Sequence, residues 1–358
     1  MSRPGALQDT HNRIIGDLRI SITDRCNFKC VYCLPETEEA AKRFLPASTE
    51  TAEPVSQTVK KPLYPWKPRS QILNYEEIIQ IVRVASQLGV NKIRITGGEP
   101  LLRQNVDWLI AQIASIRTIR DLSLTTNGTN FKRLAKRLKL SGLDRVTISL
   151  DSLDRANFKK ITGYDGLANV LESIRLAKSL DLSPVKINAV IIRGLNDQEI
   201  PQLAQFAIDE QIIMRFIEFM PLDSQHVWRR SHVVSAAEIE KLLHSLYHLT
   251  PLPSNHLSET STRWSLGQGK AEIGIIAPVT QPFCGNCNRI RLTADGKIRT
   301  CLFSHNEHDL KSILRHNSYS NETLTDRLKQ IVLRKEKGHR INQPDYVQPE
   351  RTMSLIGG

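Results

Sequence analysis

A chain of 358 residues with 40% hydrophobic and 24% charged side chains can bury an ample core without disulfides and suits one large domain or one with a smaller companion. No apolar run approaches the ~18 residues of a membrane helix, which excludes a spanning segment. The net charge of +12 points to an anionic ligand, a phosphate backbone or simply a basic surface.

In chain order, six β-rich runs alternate with helical patterns: LRISIT (18–23), KIRIT (92–96), DLSLTT (121–126), RVTISL (145–150), VKINAVII (185–192) and IIMRFIEFM (212–220). Such alternation predicts an α/β fold of βα units around a parallel sheet, and this number of units predicts an incomplete (β/α)6 TIM-type barrel with ligands at the C-terminal strand ends. The clearest helix starts behind Asn74, which with Glu77 spells a capping box. It presents Ile78, Ile81, Val82, Ala85 and Leu88 on one face and stops at Gly89. Residues 36–70 scatter Pro, Ser, Thr and Lys with little apolar periodicity and read as a mobile loop insertion.

From residue 231 the texture changes to a helix around 235–248, short strands near 264–277 and a hairpin at Ala294, Asp295 and Gly296 between RIRLT and KIRT. The expected division is a barrel over 1–230 and a C-terminal α+β extension over 231–358. The first residues, MSRPGALQDTHNR, lack the apolar core of a secretory signal, so the cysteines are expected as reduced thiols in the cytoplasm.

The six cysteines form two sets of three. Cys26, Cys30 and Cys33, spaced C-x3-C-x2-C on the loop after the first β run, suit an iron-sulfur cube with one iron left open for a non-protein ligand. A structural zinc ion would want a fourth ligand, and the nearest histidine, His11, precedes the strand. Cys284, Cys287 and Cys301 are brought together by the hairpin; here a zinc ribbon completed by His305 or His308 stays open beside the cube. TGGEP (96–100) ends the second β run with two glycines that permit close backbone approach to a ligand and a carboxylate, Glu99; an ordinary structural turn is the alternative.

Several cations accompany these motifs. Side-chain alternation puts Lys92 with Arg94, and Arg289 with Arg291, on one side of a strand, and arginine forks suit phosphate. For any one of them a solvated strand-edge charge is the alternative. KRLAKRLK and LRKEKGHR read as solvated helix faces, Asp24, Arg25, Asn127 and Gly128 as loop-shaping residues, and Asp151 with Asp154 as an acidic helix start rather than an acid-base pair.

With these residues in hand, DLRISITDRCNFKCVYC, KIRITGGEPLLR, TTNG, TISLDSLD, VKINAV, RFIEFMPL, FCGNCNRIRLTADGKIRTCL and RTMSLIGG, spread over nearly the whole chain, resemble the radical S-adenosylmethionine superfamily. Within it they resemble the GTP 3′,8-cyclase family of molybdenum cofactor biosynthesis; the 36–70 segment is longer than that family's pattern. The resemblance implies two 4Fe-4S clusters. One sits on Cys26, Cys30 and Cys33 with S-adenosylmethionine at its open iron, the other on Cys284, Cys287 and Cys301 with the guanine of GTP at its open iron.

The resemblance also implies Tyr32, Gly98, Ser149 and Met220 around S-adenosylmethionine, with Glu99 near its ammonium group. Around GTP it implies Arg19, Arg94, Thr125, Lys186, Arg289, Ile290 and Arg291, with Lys92 and Arg215 as further candidates. Gly357 and Gly358 would enter the active site through a gap that any Cβ would block. The implied lyase reaction draws hydrogen from C3′ of GTP with a 5′-deoxyadenosyl radical and closes the new carbon radical onto C8. Flavodoxin or ferredoxin as electron donor, cyclic pyranopterin monophosphate synthase downstream and a homodimer are implied too, with no membrane or nucleic-acid partner. Two other readings stand beside this one. A radical S-adenosylmethionine peptide-modifying enzyme with an auxiliary cluster usually carries more C-terminal cysteines. A basic zinc-stabilised nucleic-acid-binding protein would leave TGGEP and the βα units without a purpose.

Overall fold

Strong β formers on alternating faces build the centre of the molecule. The structure is a computed structural model and describes residues 5–33, 66–223, 228–351 and 353–357. Of the predicted insertion only residues 66–70 fall within this set, and Gly358 lies outside it. Strands β1 (Asp17–Ser21), β2 (Lys92–Thr96), β3 (Asp121–Thr126), β4 (Arg145–Ser149), β5 (Lys186–Ile191) and β6 (Ile213–Glu218) coincide with the six predicted runs to within two residues at either end. They pair in parallel in chain order. Helices cross between them: α1 (Tyr75–Gln87), α2 (Val106–Ala114), α3 (Phe131–Leu140), α4 (Arg155–Thr162), α5 (Leu167–Ser179) and α6 (Ile200–Glu210). This is the incomplete barrel that the alternation predicts.

Alternation along each strand decides what faces where. On β5, Ile187, Ala189 and Ile191 are wholly buried, while Asn188 and Val190 line an interior cavity. α1 shows how local chemistry fixes an outer element. Asn74 Oδ1 accepts from Glu77 N at 2.7 Å, Glu77 Oε2 accepts from Asn74 N at 2.7 Å, and Ile78, Ile81, Val82 and Ala85 are fully buried. Such a cap contributes about 1 kcal/mol, and each large apolar side chain it aligns contributes roughly 1.5–3 kcal/mol on burial. The basic run on α3 is the solvated face expected, with Lys132, Arg133, Lys136 and Arg137 exposed and Leu134 and Leu138 turned inward.

The remaining elements are α7 (Ala236–Leu246), β7 (Thr250–Leu252), β8 (Thr262–Leu266), β9 (Ala271–Ile276), β10 (Arg289–Leu292), β11 (Lys297–Arg299), β12 (His308–Asp309), α8 (Lys311–Leu314), α9 (Asn321–Val332) and α10 (Met353–Ile356). They join the same sheet at both ends, giving the order β12-β11-β10-β1-β2-β3-β4-β5-β6-β9-β8-β7. β10 lies parallel to β1 and β9 parallel to β6, so neither edge of the six-stranded core is bare. The Asp295-Gly296 turn joins β10 to β11 as an antiparallel hairpin, with Gly296 in the left-handed region at φ 84°.

LRKEKGHR is not a solvated helix face: α9 ends at Val332, and Lys335 beyond it is only 3% exposed. No described helix is long and apolar enough to cross a membrane.

Candidate active site

Two backbone hydrogen bonds lock the first cysteine loop to the glycine loop. Gly98 N donates to Thr23 O and Glu99 N to Arg25 O, both at 2.8 Å. On its other side the cysteine loop is tied to the end of α4, Lys29 N donating to Thr162 O and Val31 N to Ile161 O at 2.7 and 3.1 Å, while Phe28 stacks on Tyr164 with ring centres 5.3 Å apart. Cys26, Cys30 and Cys33 are thereby presented at the C-terminal end of the strands and line one cavity. Cys26 Sγ accepts from Phe28 N at 3.4 Å and sits 4.0 Å from Asn127 Nδ2, so Asn127 reaches the sulfur as well as shaping its loop. Burial raises all three thiols, Cys26 to about 12 and Cys33 to about 11, so a metal must displace their protons.

Cys284, Cys287 and Cys301 line the same cavity. Arg13, itself paired with Asp9 at 2.6 Å, donates to Cys284 O at 2.9 Å and fixes this loop from the N-terminal segment. Burial alone would raise the Cys287 thiol, but Arg289, Lys335 and Arg13 outweigh it and bring it down to about 7. All six cysteines are free of disulfides. Among the described residues no three His, Cys, Asp or Glu side chains stand close enough to hold a single metal ion, and His305 Nε2 lies 2.9 Å from the Val347 carbonyl. Two sets of three thiols, with no fourth side-chain ligand grouped with either among the described residues, fit cubes in which each sulfur binds a different iron.

Between the two sets the wall is cationic. Arg19, Arg94, Arg215, Arg289 and Arg291 all line the cavity. Burial and mutual repulsion hold Arg19, Arg94 and Arg291 below the ordinary guanidinium range and bring Arg215 to about 9. Buried polar atoms without partners accumulate here: Nε of Arg19, Arg94 and Arg215, Thr125 Oγ1 and Asn188 Oδ1. Crowded cations around a void, three of them with a buried Nε that lacks a partner among the described residues, are chemically suited to a polyanion.

Of the other predicted residues, Tyr32, Gly98, Ser149 and Met220 also line the cavity. Glu99 does not: Leu101 N, Thr126 Oγ1 and Asn127 N donate to its carboxylate at 3.0, 2.7 and 2.7 Å, and burial pushes it up to about 7. It stitches the rims of β2 and β3 together. Lys92 lies outside the lining, 3.4 Å from Asp121 and 4.0 Å from Asp17. Ile290 alternates away from the arginines into the core at 1% exposure. Lys186 is not among the lining residues but, half-buried, shares a face of β5 with Asn188, which is.

The tail reaches the site. Arg351 pairs with Asp295 at the hairpin tip at 2.8 Å, Ile356 is wholly buried, and the Gly357 carbonyl accepts from Arg291. A Cβ on Gly357 would lie 2.8 Å from Thr96 Cγ2, and its φ of 76° is left-handed.

Sequence reasoning misjudged Asp151. Asp154 does cap α4, accepting from Asn157 N at 2.7 Å, but Asp151 is 3% exposed and accepts from Tyr32 Oη at 2.7 Å and Val190 N at 2.8 Å. Burial raises its carboxyl to about 6. It holds the cysteine loop through Tyr32, one of the two residues between Cys30 and Cys33. Asn188 was missed altogether. Strand register sets it between Ser149 and Arg215, and its place two residues beyond Lys186 in an alternating run was the available signal.

A family model described as the radical SAM superfamily matches residues 20–207, and one described as Molybdenum Cofactor Synthesis C matches residues 212–341. A Streptomyces coelicolor protein named GTP 3′,8-cyclase is 40% identical over 361 residues, covering 100% of this chain and 98% of that one. The chain belongs to the GTP 3′,8-cyclase family of radical S-adenosylmethionine enzymes. A relative of the same name from Acidothermus cellulolyticus is 42% identical over 89% of this chain and 82% of its own. Among solved structures, Streptococcus suis SuiB bound to S-adenosylmethionine aligns with a TM-score of 0.58 over 96% of this chain and 77% of its own; at 15% identity this likeness speaks for the shared fold alone.

Proposed function

We propose that this chain converts GTP to (8S)-3′,8-cyclo-7,8-dihydroguanosine 5′-triphosphate, binding S-adenosylmethionine beside Cys26, Cys30 and Cys33 and GTP between the arginines and Cys284, Cys287 and Cys301. One observation carries the reading: thiols from opposite ends of the chain share a cavity whose wall holds five arginines, several with buried nitrogens lacking partners. When bound, a 4Fe-4S cluster with S-adenosylmethionine supplies a 5′-deoxyadenosyl radical.

The chain's own residues place and shield. Gly98 lets backbone approach the cofactor, with Tyr32, Ser149 and Met220 lining its end of the cavity. Arg19, Arg94, Arg215, Arg289 and Arg291 grip the triphosphate, with Thr125 beside them, so the sugar is held from one side and the base from the other. Phe28, Phe158 and Phe283 narrow access for water. In the same reading the electron comes from flavodoxin or ferredoxin, cyclic pyranopterin monophosphate synthase consumes the product, and the enzyme works in the cytoplasm as a homodimer. Residues 231–358 bring in the second cluster, and Gly357 closes the site.

Gly357→Ala should lower turnover about a hundred-fold, the effect of ~1 Å displacement near reacting atoms, with iron content unchanged. Full turnover in that variant would remove the tail from the mechanism.

Lys186 gives a pH signature. Burial, with Arg215, Arg145 and Arg94 adding repulsion, lowers its amine to about 7. The free enzyme therefore holds it largely neutral at pH 8, and a bound triphosphate restores the proton. GTP binding at pH 8 should take up close to one proton, and affinity should fall by up to about ten-fold per pH unit above 7. Calorimetry in buffers of different ionisation enthalpy reads this, and uptake should vanish in Lys186→Met. Equal uptake in both chains contradicts the assignment.

Anaerobic incubation with GTP, S-adenosylmethionine and a reductant, followed by mass analysis, tests the function. A product isomeric with GTP together with 5′-deoxyadenosine is expected. Cofactor cleavage with GTP unaltered would overturn the substrate.

A further inference from the structure

Lys335 is a buried ammonium without a carboxylate. It is 3% exposed, and Nζ donates to Arg289 O at 2.9 Å and to Thr300 O. Among the described residues it forms no ion pair with Asp or Glu. Its neighbour Glu336 is engaged elsewhere, accepting from Thr300 Oγ1 at 2.7 Å and from Ser304 Oγ. The contrast with Arg13 is instructive. That second buried cation at the same loop has its counter-ion in Asp9, 2.6 Å away. An unpaired charge is costly to bury, so a negative partner is needed at Lys335.

The geometry identifies that partner. Arg289 stands two residues after Cys287, and Thr300 immediately precedes Cys301. The two carbonyls held by Lys335 therefore adjoin the second cysteine set, one just after Cys287 and the other just before Cys301.

We infer that Lys335 is the counter-charge of the iron-sulfur centre on Cys284, Cys287 and Cys301, clamping the two strand segments that carry the sulfurs and offsetting the negative charge that three thiolates bring. The inference rests on reading those cysteines as cluster ligands. Lys335 is a positioning residue: it is not among the residues lining the cavity, and it acts through the backbone and its field. A fixed positive charge beside a cluster favours the more negative, reduced form, so its removal lowers the midpoint potential.

The test uses the full chain with Cys26, Cys30 and Cys33 replaced by alanine, so that one centre reports. After anaerobic reconstitution this parent should hold about four irons. Lys335→Met is compared with Lys335→Arg by iron content and by a redox titration followed by electron paramagnetic resonance. The expected result is a lower potential or lost iron in the Met chain and parent-like values in the Arg chain. A Met chain with full iron and an unchanged potential overturns the inference. So does iron loss that Arg fails to restore. A Met apoprotein that unfolds while the parent apoprotein stays folded overturns it too, because the lysine then serves the fold. A parent chain that takes up no iron sinks the reading of the second cysteine set itself, whatever Lys335 does.

Discussion

Cys30→Ala will reduce formation of 5′-deoxyadenosine at least about a thousand-fold, equivalent to the loss of ~4 kcal/mol or more of transition-state stabilisation. Cys30 is one of three thiols held between the β2 rim and α4, and burial raises it well above the ordinary thiol range, with Asp151 adding repulsion. Iron must draw off those protons against the environment, which a set of three sulfurs acting together achieves and two do not. The second cysteine set lies on other elements, so the variant should keep about half its iron and its fold. Undiminished 5′-deoxyadenosine from the Ala chain refutes the role given to the loop.

Gly98→Ala should be nearly as damaging although it removes no ligand. A Cβ there would lie 2.3 Å from Arg25 O, 2.6 Å from Arg25 C and 2.8 Å from Asp24 O. These are backbone atoms of the cysteine loop, pinned by the hydrogen bonds from Gly98 N and Glu99 N at 2.8 Å, and they cannot swing aside as a side chain would. The two loops must part by ~1 Å, which costs about a hundred-fold in rate, and overpacking of this kind destabilises by roughly 1–3 kcal/mol. Turnover per cluster and a thermal melt measure the two effects. Wild-type turnover would mean that the loops separate without disturbing the cofactor.

What could be read in advance followed from local rules. The strands declared themselves because their outward residues are apolar and their inward ones polar, as Ile93 and Ile95 alternate with Arg94. Asn74 with Glu77 and Asp295 with Gly296 are short-range signals whose partners lie within a few residues. The cysteine spacings named their own chemistry. The failures share one cause: their partners come from distant elements. Glu99 is occupied by donors from the end of β3, Asp151 by a tyrosine 119 positions earlier, and Lys335 by carbonyls at Arg289 and Thr300. Lys335 was misread because KEK looks solvated wherever it occurs, and only the fold shows it turned inward. The pairing of β9 and β10 with opposite ends of the core sheet was equally out of reach, since register between remote segments leaves no local trace.

That pairing bears on how the enzyme is made. A nascent polypeptide stalled after β6 would present raw hydrogen-bonding edges at β1 and β6, an invitation to pair with a neighbouring chain. The missing strands come later in the chain, and the contact between β1 and β10 joins Asp17 to Arg289, a long sequence separation that makes it slow to form. The two halves of the reaction chamber therefore meet only after β10 has been made.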